Sequence, residues 1–239
     1  MGNTFVLPQA AVEFVNPLPE KQVLLVAGGR SPDGLWLTEL AAAHPAIWCA
    51  DRGIDVCYQY GLLPERLIGD GDSASSEAWN WARRQAVFVE QYPVDKDLTD
   101  LQLLLQRVGD VYGESTVVAT GCWGGRFDHL WSNVISLTGG PDHGIHACCL
   151  ADEKELLVLL HGKNGVKIGL KKEVTAISLL AFTPVCQGVS IKQVKWPLTA
   201  VTLRYAMPYA VSNLPAAGGT SFQVAVDSGC LGVYCCFKT

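Results

Sequence analysis

The chain has 239 residues, is 49% hydrophobic and 17% charged, and carries a net charge of −5. That length suits one large or two modest domains, each with a buried core. The dispersed acidic balance excludes a nucleic-acid footprint, the low charge excludes long disorder, and no apolar run reaches the length of a membrane span.

Residues 1–21, "MGNTFVLPQAAVEFVNPLPEK", lack a basic start followed by an apolar core, so they do not read as a secretory leader. Val6 stands where a myristoylation signal needs Ser or Thr. The nine cysteines lie mostly in strand-like runs and form no Cys-x-x-Cys pair, which points to reduced thiols in a cytoplasmic protein. His143, His146 and Cys148 in "DHGIHACC" read as a loop entering a buried strand rather than as a zinc site.

"QVLLVAGG" (22–29) is a continuous apolar run closed by two glycines, the pattern of a buried parallel strand. "GLWLTELAAAHP" has helical spacing and stops at Pro45; "AIWCAD" (46–51) and "ERLIGD" (65–70) are further buried strands. "EAWNWARRQAVFVEQ" is expected as a helix, and "DLTDLQLLLQRVGD" (97–110) is an amphipathic one, with Leu101, Leu104, Leu105 and Val108 on one stripe. "STVVATG" is a strand, followed by a glycine-rich turn and the helix "RFDHLWSNVISL". Strands alternating with helices predict a doubly wound parallel sheet with helices on both faces, spanning 1–155. Beyond it, short strand candidates and the hairpin signal Asn164-Gly165 predict an antiparallel β-sandwich over 156–239.

Four polar clusters fall at predicted strand ends or helix starts: Asp51 after "IWCA", "GDGDS" after "RLI", "VDKDLTD", and "GCWGGRFDH" after "TVVAT". Open α/β sheets bind ligands at such ends. An isolated "DGD" is more often a turn, but Asp70 and Asp72 one residue apart can also face one hard cation such as Mg²⁺. Asp97 and Asp100 are spaced as a helix N-cap and its N3 partner, with Lys96 beside them. The glycines before Arg126 allow backbone N–H groups to approach phosphate. Asp128 and His129 can cap the helix, bind a ribose or assist chemistry, and the residues leave these open. No Walker A motif, Gly-x-Gly-x-x-Gly fingerprint or Gly-x-Ser-x-Gly elbow occurs. Carboxylates near Lys and Arg suit phosphoryl-type transfer.

In order and spacing, "CADRG", "IGDGDS", "DKDLTDLQ" and "GGRFDH" resemble the motifs of the thiamine pyrophosphokinase family. "VKWPLTAVTL" and "YAVSNLP" resemble segments of its second domain. The resemblance implies a homodimeric enzyme that moves pyrophosphate from ATP to the hydroxyethyl group of thiamine, giving thiamine diphosphate and AMP. It implies Mg²⁺ on Asp70, Asp72 and Asp100. ATP contacts would come from Asp51, Ser73, Lys96, Thr99, Arg126 and His129, and catalytic roles would fall to Asp97, Asp100, Arg126 and Asp128. Trp196, Ser212 and Asn213 would form the thiamine pocket. Two departures stand out: Arg52 replaces the first glycine after the Ala-Asp pair, and Gly71 stands where the family often has a larger residue. The rival readings are a pyrophosphokinase for another hydroxyalkyl heterocycle, such as a pterin, and a nucleotide sensor without turnover.

Overall fold

The computed structural model describes residues 2–85 and 87–238. In chain order, β1 (Thr4–Val6) and β2 (Ala10–Phe14) precede β3 (Gln22–Val26), α1 (Gly34–Ala42), β4 (Ala46–Ala50) and α2 (Gly53–Tyr60). Next come β5 (Arg66–Gly69), α3 (Ser76–Arg84), β6 (Phe88–Gln91), α4 (Asp100–Tyr112), β7 (Ser115–Thr120), α5 (Phe127–Thr138) and β8 (Ile145–Ala151). The remaining strands are β9 (Glu155–His161), β10 (Asn164–Leu170), β11 (Val174–Ala181), β12 (Val185–Lys192), β13 (Leu198–Arg204), β14 (Ser221–Val226) and β15 (Cys230–Phe237). These elements form two compact units, one over 19–152 and one combining 2–18 with 153–238.

In the α/β unit the strands run parallel in the order β8-β7-β3-β4-β5-β6. Every residue of β4 and β7 is buried, which explains the unbroken apolar run of β4 and the absence of charge in β7, whose Ser115, Thr116 and Thr120 are buried with it. From β3 the chain steps through β4 and β5 to β6, then returns to place β7 on the other side of β3. Right-handed crossovers therefore put α1–α3 on one face and α4 and α5 on the other. Consistently, α2 packs on α3, and α4 on α5. The order reverses between β3 and β7, so the crevice at their carboxyl ends is the expected ligand position.

Residues 77–91 do not form one helix. The helix ends at Arg84, and "FVEQ", begun by the strand formers Phe88 and Val89, pairs with β5 as edge strand β6. Ala86, within the expected helix, lies outside the described residues.

The other unit is antiparallel and β-rich. Six strands run in the order β1-β2-β10-β14-β12-β13, and β15 lies between β11 and β9. The division expected at residue 155 differs at the N-terminus: β2 pairs with β10 (Val12 opposite Ile168), which groups residues 2–18 with the C-terminal strands. Asn164-Gly165 makes no hairpin turn. Gly162 turns the chain with φ +61, β9 pairs with β15, and β10 pairs with β2 and β14. None of the nine cysteines is in a disulfide and eight are buried. Burial pushes the Cys122 thiol up to about 12.

Candidate active site

At the end of β4 the chain turns at Asp51, whose φ of 39° lies in the left-handed region. Asp tolerates that region better than most residues, and the turn leaves its carboxylate buried. Gly69, the last residue of β5, permits the close approach: a Cβ there would stand 2.8 Å from Asp51 Cβ. Asp51 Oδ1 accepts from the N–H of Gly71 at 3.1 Å, and Oδ2 accepts from the Ser73 hydroxyl. The loop carrying "GDGDS" is thus folded around a carboxylate from the neighbouring strand. A second tie lies alongside: Asp55 on α2 accepts from the Ser75 N–H at 3.1 Å and its hydroxyl at 2.5 Å, while Ser75 caps α3.

Asp70 follows β5, and its Oδ1 accepts from the Asp72 N–H at 3.1 Å. Asp51, Asp70 and Asp72 each bring one carboxylate oxygen to within 4.8 Å of the others. Hydrogen bonding with Asp70 and repulsion from it push the Asp72 carboxyl above its usual range. Three converging hard oxygen donors, mutually repelling, fit a divalent cation of the Mg²⁺ type.

Lys96 Nζ donates to Asp70 Oδ2 at 2.5 Å and lies 3.3 Å from Asp100 Oδ1. Burial acts to raise the Asp70 carboxyl, but donation from Lys96 and from the Asp72 N–H outweighs it and holds the group low. Burial acts to lower Lys96, yet Asp70 and Asp100 hold its ammonium above the ordinary value. Burial of Asp100 outweighs the attraction of Lys96, so that carboxyl is raised.

The cap of α4 is Thr99, not Asp97. Thr99 Oγ1 accepts from the Gln102 N–H at 3.3 Å, and Gln102 Oε1 accepts from the Thr99 N–H at 2.9 Å, a reciprocal capping box. Asp97 is therefore exposed outside the helix, with no hydrogen-bond or ion-pair partner among the described residues.

After β7 the chain turns at Gly121, with φ +68, under the carbonyl oxygen of Ala27 where no Cβ fits. The β3 and β7 loops are stitched together: Gly29 N–H donates to Gly121 O at 2.6 Å and Arg30 N–H to Trp123 O at 2.5 Å. On α5, Asn133 Nδ2 holds Cys122 O at 3.2 Å. Arg126, exposed at the start of α5, grips Asp128 with two hydrogen bonds of 3.1 and 2.5 Å. That bond holds the Asp128 carboxyl low and raises Arg126. His129 is exposed beside them and its N–H donates to Asp128.

In the β-rich unit, a cavity of about 240 Å³ is lined by Ile177, Leu179, Ile191, Trp196, Tyr209 and Asn213 among others. Trp196 is 54% exposed at its edge. Asn213 fastens the Trp196 loop: its Nδ2 donates to Trp196 O at 2.7 Å and its Oδ1 accepts from Trp196 N–H at 3.1 Å. Ser212, at φ 59°, uses its N–H on Ser178 Oγ and does not line the cavity.

The structure thus brings Asp51, Asp70, Asp72, Ser73, Lys96 and Asp100 into one connected cluster. Thr99 stands at its margin as a helix cap, and Arg126, Asp128 and His129 form a separate group at the α5 start. Sequence spacing did not place Asp51 with the carboxylate pair, nor reveal the part of Asp55, Tyr209 and the aliphatic cavity wall. The signals for Asp51 were its place at a strand end and the motif resemblance of "CADRG".

Two family models match the chain: the thiamin pyrophosphokinase catalytic domain over 37–149 and the thiamin pyrophosphokinase vitamin B1 binding domain over 165–231. The thiamine pyrophosphokinase of Bacillus subtilis is 24% identical over 196 residues, covering 81% of this chain and 89% of that protein. The crystal structure of a thiamine pyrophosphokinase from Bacillus subtilis superposes with a TM-score of 0.79 at 22% identity, over 92% of this chain and 100% of the other. The yeast thiamin pyrophosphokinase structure gives 0.72 at 16% identity, over 92% and 88% of the two chains. The α/β unit followed by antiparallel β structure is the architecture of these neighbours. With both of its domains matched in order, over carboxylates that converge at the strand ends, the chain belongs to the thiamin pyrophosphokinase family.

Proposed function

We propose that the protein transfers pyrophosphate from ATP to the hydroxyethyl oxygen of thiamine, releasing AMP. The observation that carries this reading is the convergence of Asp51, Asp70 and Asp72 at the carboxyl ends of β4 and β5, in a chain matched by both family domains. In this reaction the hydroxyl oxygen bonds to the β-phosphorus. The bond from that phosphorus to the α,β-bridging oxygen breaks, and the bridging oxygen leaves on AMP. Mg²⁺, held by Asp70 and Asp72 with Asp51 or Asp100, would neutralise polyphosphate charge.

Lys96 supplies a fixed positive charge at Asp70 for phosphate oxygens, and Arg126 supplies a second at the α5 start. Asp97, free of capping duty, accepts the hydroxyl proton; Asp128 is a poorer base because Arg126 holds it ionised. Ser73 keeps the Asp51 carboxylate oriented. The cavity walled by Trp196 and Tyr209 takes the acceptor's aromatic ring, with Asn213 fixing the tryptophan and Ser212 shaping the loop.

The same reading makes the protein a cytoplasmic homodimer. Nine cysteines without a disulfide suit a reducing compartment, and exposed Tyr205, Met207 and Tyr209 offer an apolar face for association. No helix among the described residues is long and apolar enough to cross a membrane.

The test is AMP formation from Mg-ATP with and without thiamine, repeated with a pterin alcohol, alongside light scattering for the oligomer. AMP that appears only with thiamine supports the reading. AMP only with the pterin moves it to another acceptor, and ATP binding without AMP makes the protein a sensor.

A further inference from the structure

Arg52 occupies the N-cap position of α2 in helical conformation, and its side chain makes no cap hydrogen bond. It is exposed, and among the described residues it has no hydrogen-bond or ion-pair partner. This is unusual company for a guanidinium, since the adjoining residue is Asp51 and two further carboxylates lie close to that one. The placement explains the missing pair. The left-handed turn at Asp51 sends the carboxylate toward β5, where Gly71 and Ser73 hold it. Arg52 is carried the other way, toward β3: a Cβ on Gly28 would stand only 2.6 Å from Arg52 Cβ. Gly28 is thus the space in which the arginine stem lies, in the loop that leaves β3.

That loop forms one wall of the crevice at the reversal of strand order, where Gly29 and Arg30 bind the backbone of the β7 loop. Carboxylates on the β5 side and a free cation on the β3 side leave two stations for one polyphosphate. A cation-bound segment belongs at the first, and an uncompensated phosphate belongs at the second. Resting on the pyrophosphate-transfer reading, we infer that Arg52 binds the α-phosphate of the nucleotide, the group that leaves as AMP.

The test is calorimetric binding of AMP, Mg-ATP and adenosine to the unvaried protein, Arg52→Gln and Arg52→Lys, with AMP formation measured in parallel. The expected result is a loss of roughly ten- to hundred-fold in affinity for both AMP and Mg-ATP in Arg52→Gln. Arg52→Lys should recover part of that loss, adenosine should bind all variants equally, and the melting temperature should not move. Unchanged AMP and ATP affinity in Arg52→Gln, with the unvaried protein active on thiamine, overturns the role of Arg52 and leaves the transfer reading intact. Arg52-dependent AMP binding without any turnover does the reverse. A loss confined to Mg-ATP, with AMP unaffected, also overturns the inference, because the contact would then lie on the transferred phosphates.

Discussion

Lys96 donates to Asp70 at 2.5 Å, so the cation and one carboxylate of the cluster are already partners before any ligand arrives. A divalent ion bound to Asp70 must share that carboxylate with an ammonium. Replacing Lys96 by Met removes the repulsion, so Mg²⁺ should bind several-fold more tightly. AMP formation should nevertheless fall at least about tenfold, because a charge aimed at the phosphates is lost. Titration calorimetry and a coupled AMP assay read the two effects; weaker Mg²⁺ binding in the variant would contradict the geometry.

The membership of the cation site is open to a direct comparison. Mg²⁺ should raise the melting temperature of the unvaried protein by mass action. Asp72→Asn and Asp51→Asn should each lose most of that rise, since their oxygens converge with Asp70. Asp100→Asn should keep it in part, because that carboxylate meets the cluster through Lys96. A complete loss in Asp100→Asn with retention in Asp51→Asn would restore the Asp70, Asp72 and Asp100 set that the motif resemblance implies.

Thr99 and Asp97 should separate stability from chemistry. Thr99→Ala deletes one half of the capping box and should cost about 1 kcal/mol in urea unfolding. Asp97→Ala should leave the unfolding midpoint in place and reduce turnover at least tenfold by removing the proton acceptor. Equal stability losses in the two variants would show that Asp97 also holds the helix start.

Two glycines of one loop should differ sharply. Gly121→Ala forces a side chain into the Ala27 carbonyl as well as into a left-handed backbone, for about 2–5 kcal/mol. Gly125→Ala meets open space at φ +71 and should cost about 1–2 kcal/mol from backbone strain alone. Chemical denaturation of both variants checks the ordering.

His44 ties stability to pH. Burial lowers its pKa from the ordinary value, against the raising effect of the 2.8 Å bond from Nδ1 to Leu40 O. The unfolded chain takes up a proton near about pH 6.5 while the folded ring resists. Its contribution is therefore complete above that value and drains away as pH falls toward the folded pKa. His44→Phe cannot titrate, so unfolding curves at pH 7.5 and 5.5 should show the variant gaining on the unvaried protein at the lower pH. A constant difference would remove His44 from the acid response.

The parallel sheet was legible because buried strands such as "QVLLV" and "AIWCA" are apolar on both faces, and the carboxylates were legible because Asp51 and Asp70 directly follow strands β4 and β5. The cap of α4 was not, because two boxes overlap: Asp97 with Asp100, and Thr99 with Gln102. The second wins with Gln102 returning the bond to the Thr99 N–H. The bond from Ser73 to Asp51 spans 22 residues and exists only because β4 and β5 are neighbours, which no local pattern encodes. The same limit hid β1 and β2: "AAVEF" alternates buried and less buried residues, yet its partner β10 begins more than 140 residues later.

That distant pairing has a consequence during synthesis. Strand β2 leaves the ribosome ahead of the α/β unit and stays without β10 until that whole unit has been made. Residues 19–152 form a contiguous unit and can fold as soon as they emerge, while the β1–β2 pair waits with the β10 edge of β2 open. A nascent chain halted before β10 should expose that strand to chaperones and proteases, and its release should coincide with completion of β10 rather than with folding of the α/β unit. Residues made before the α/β unit are secured only after it.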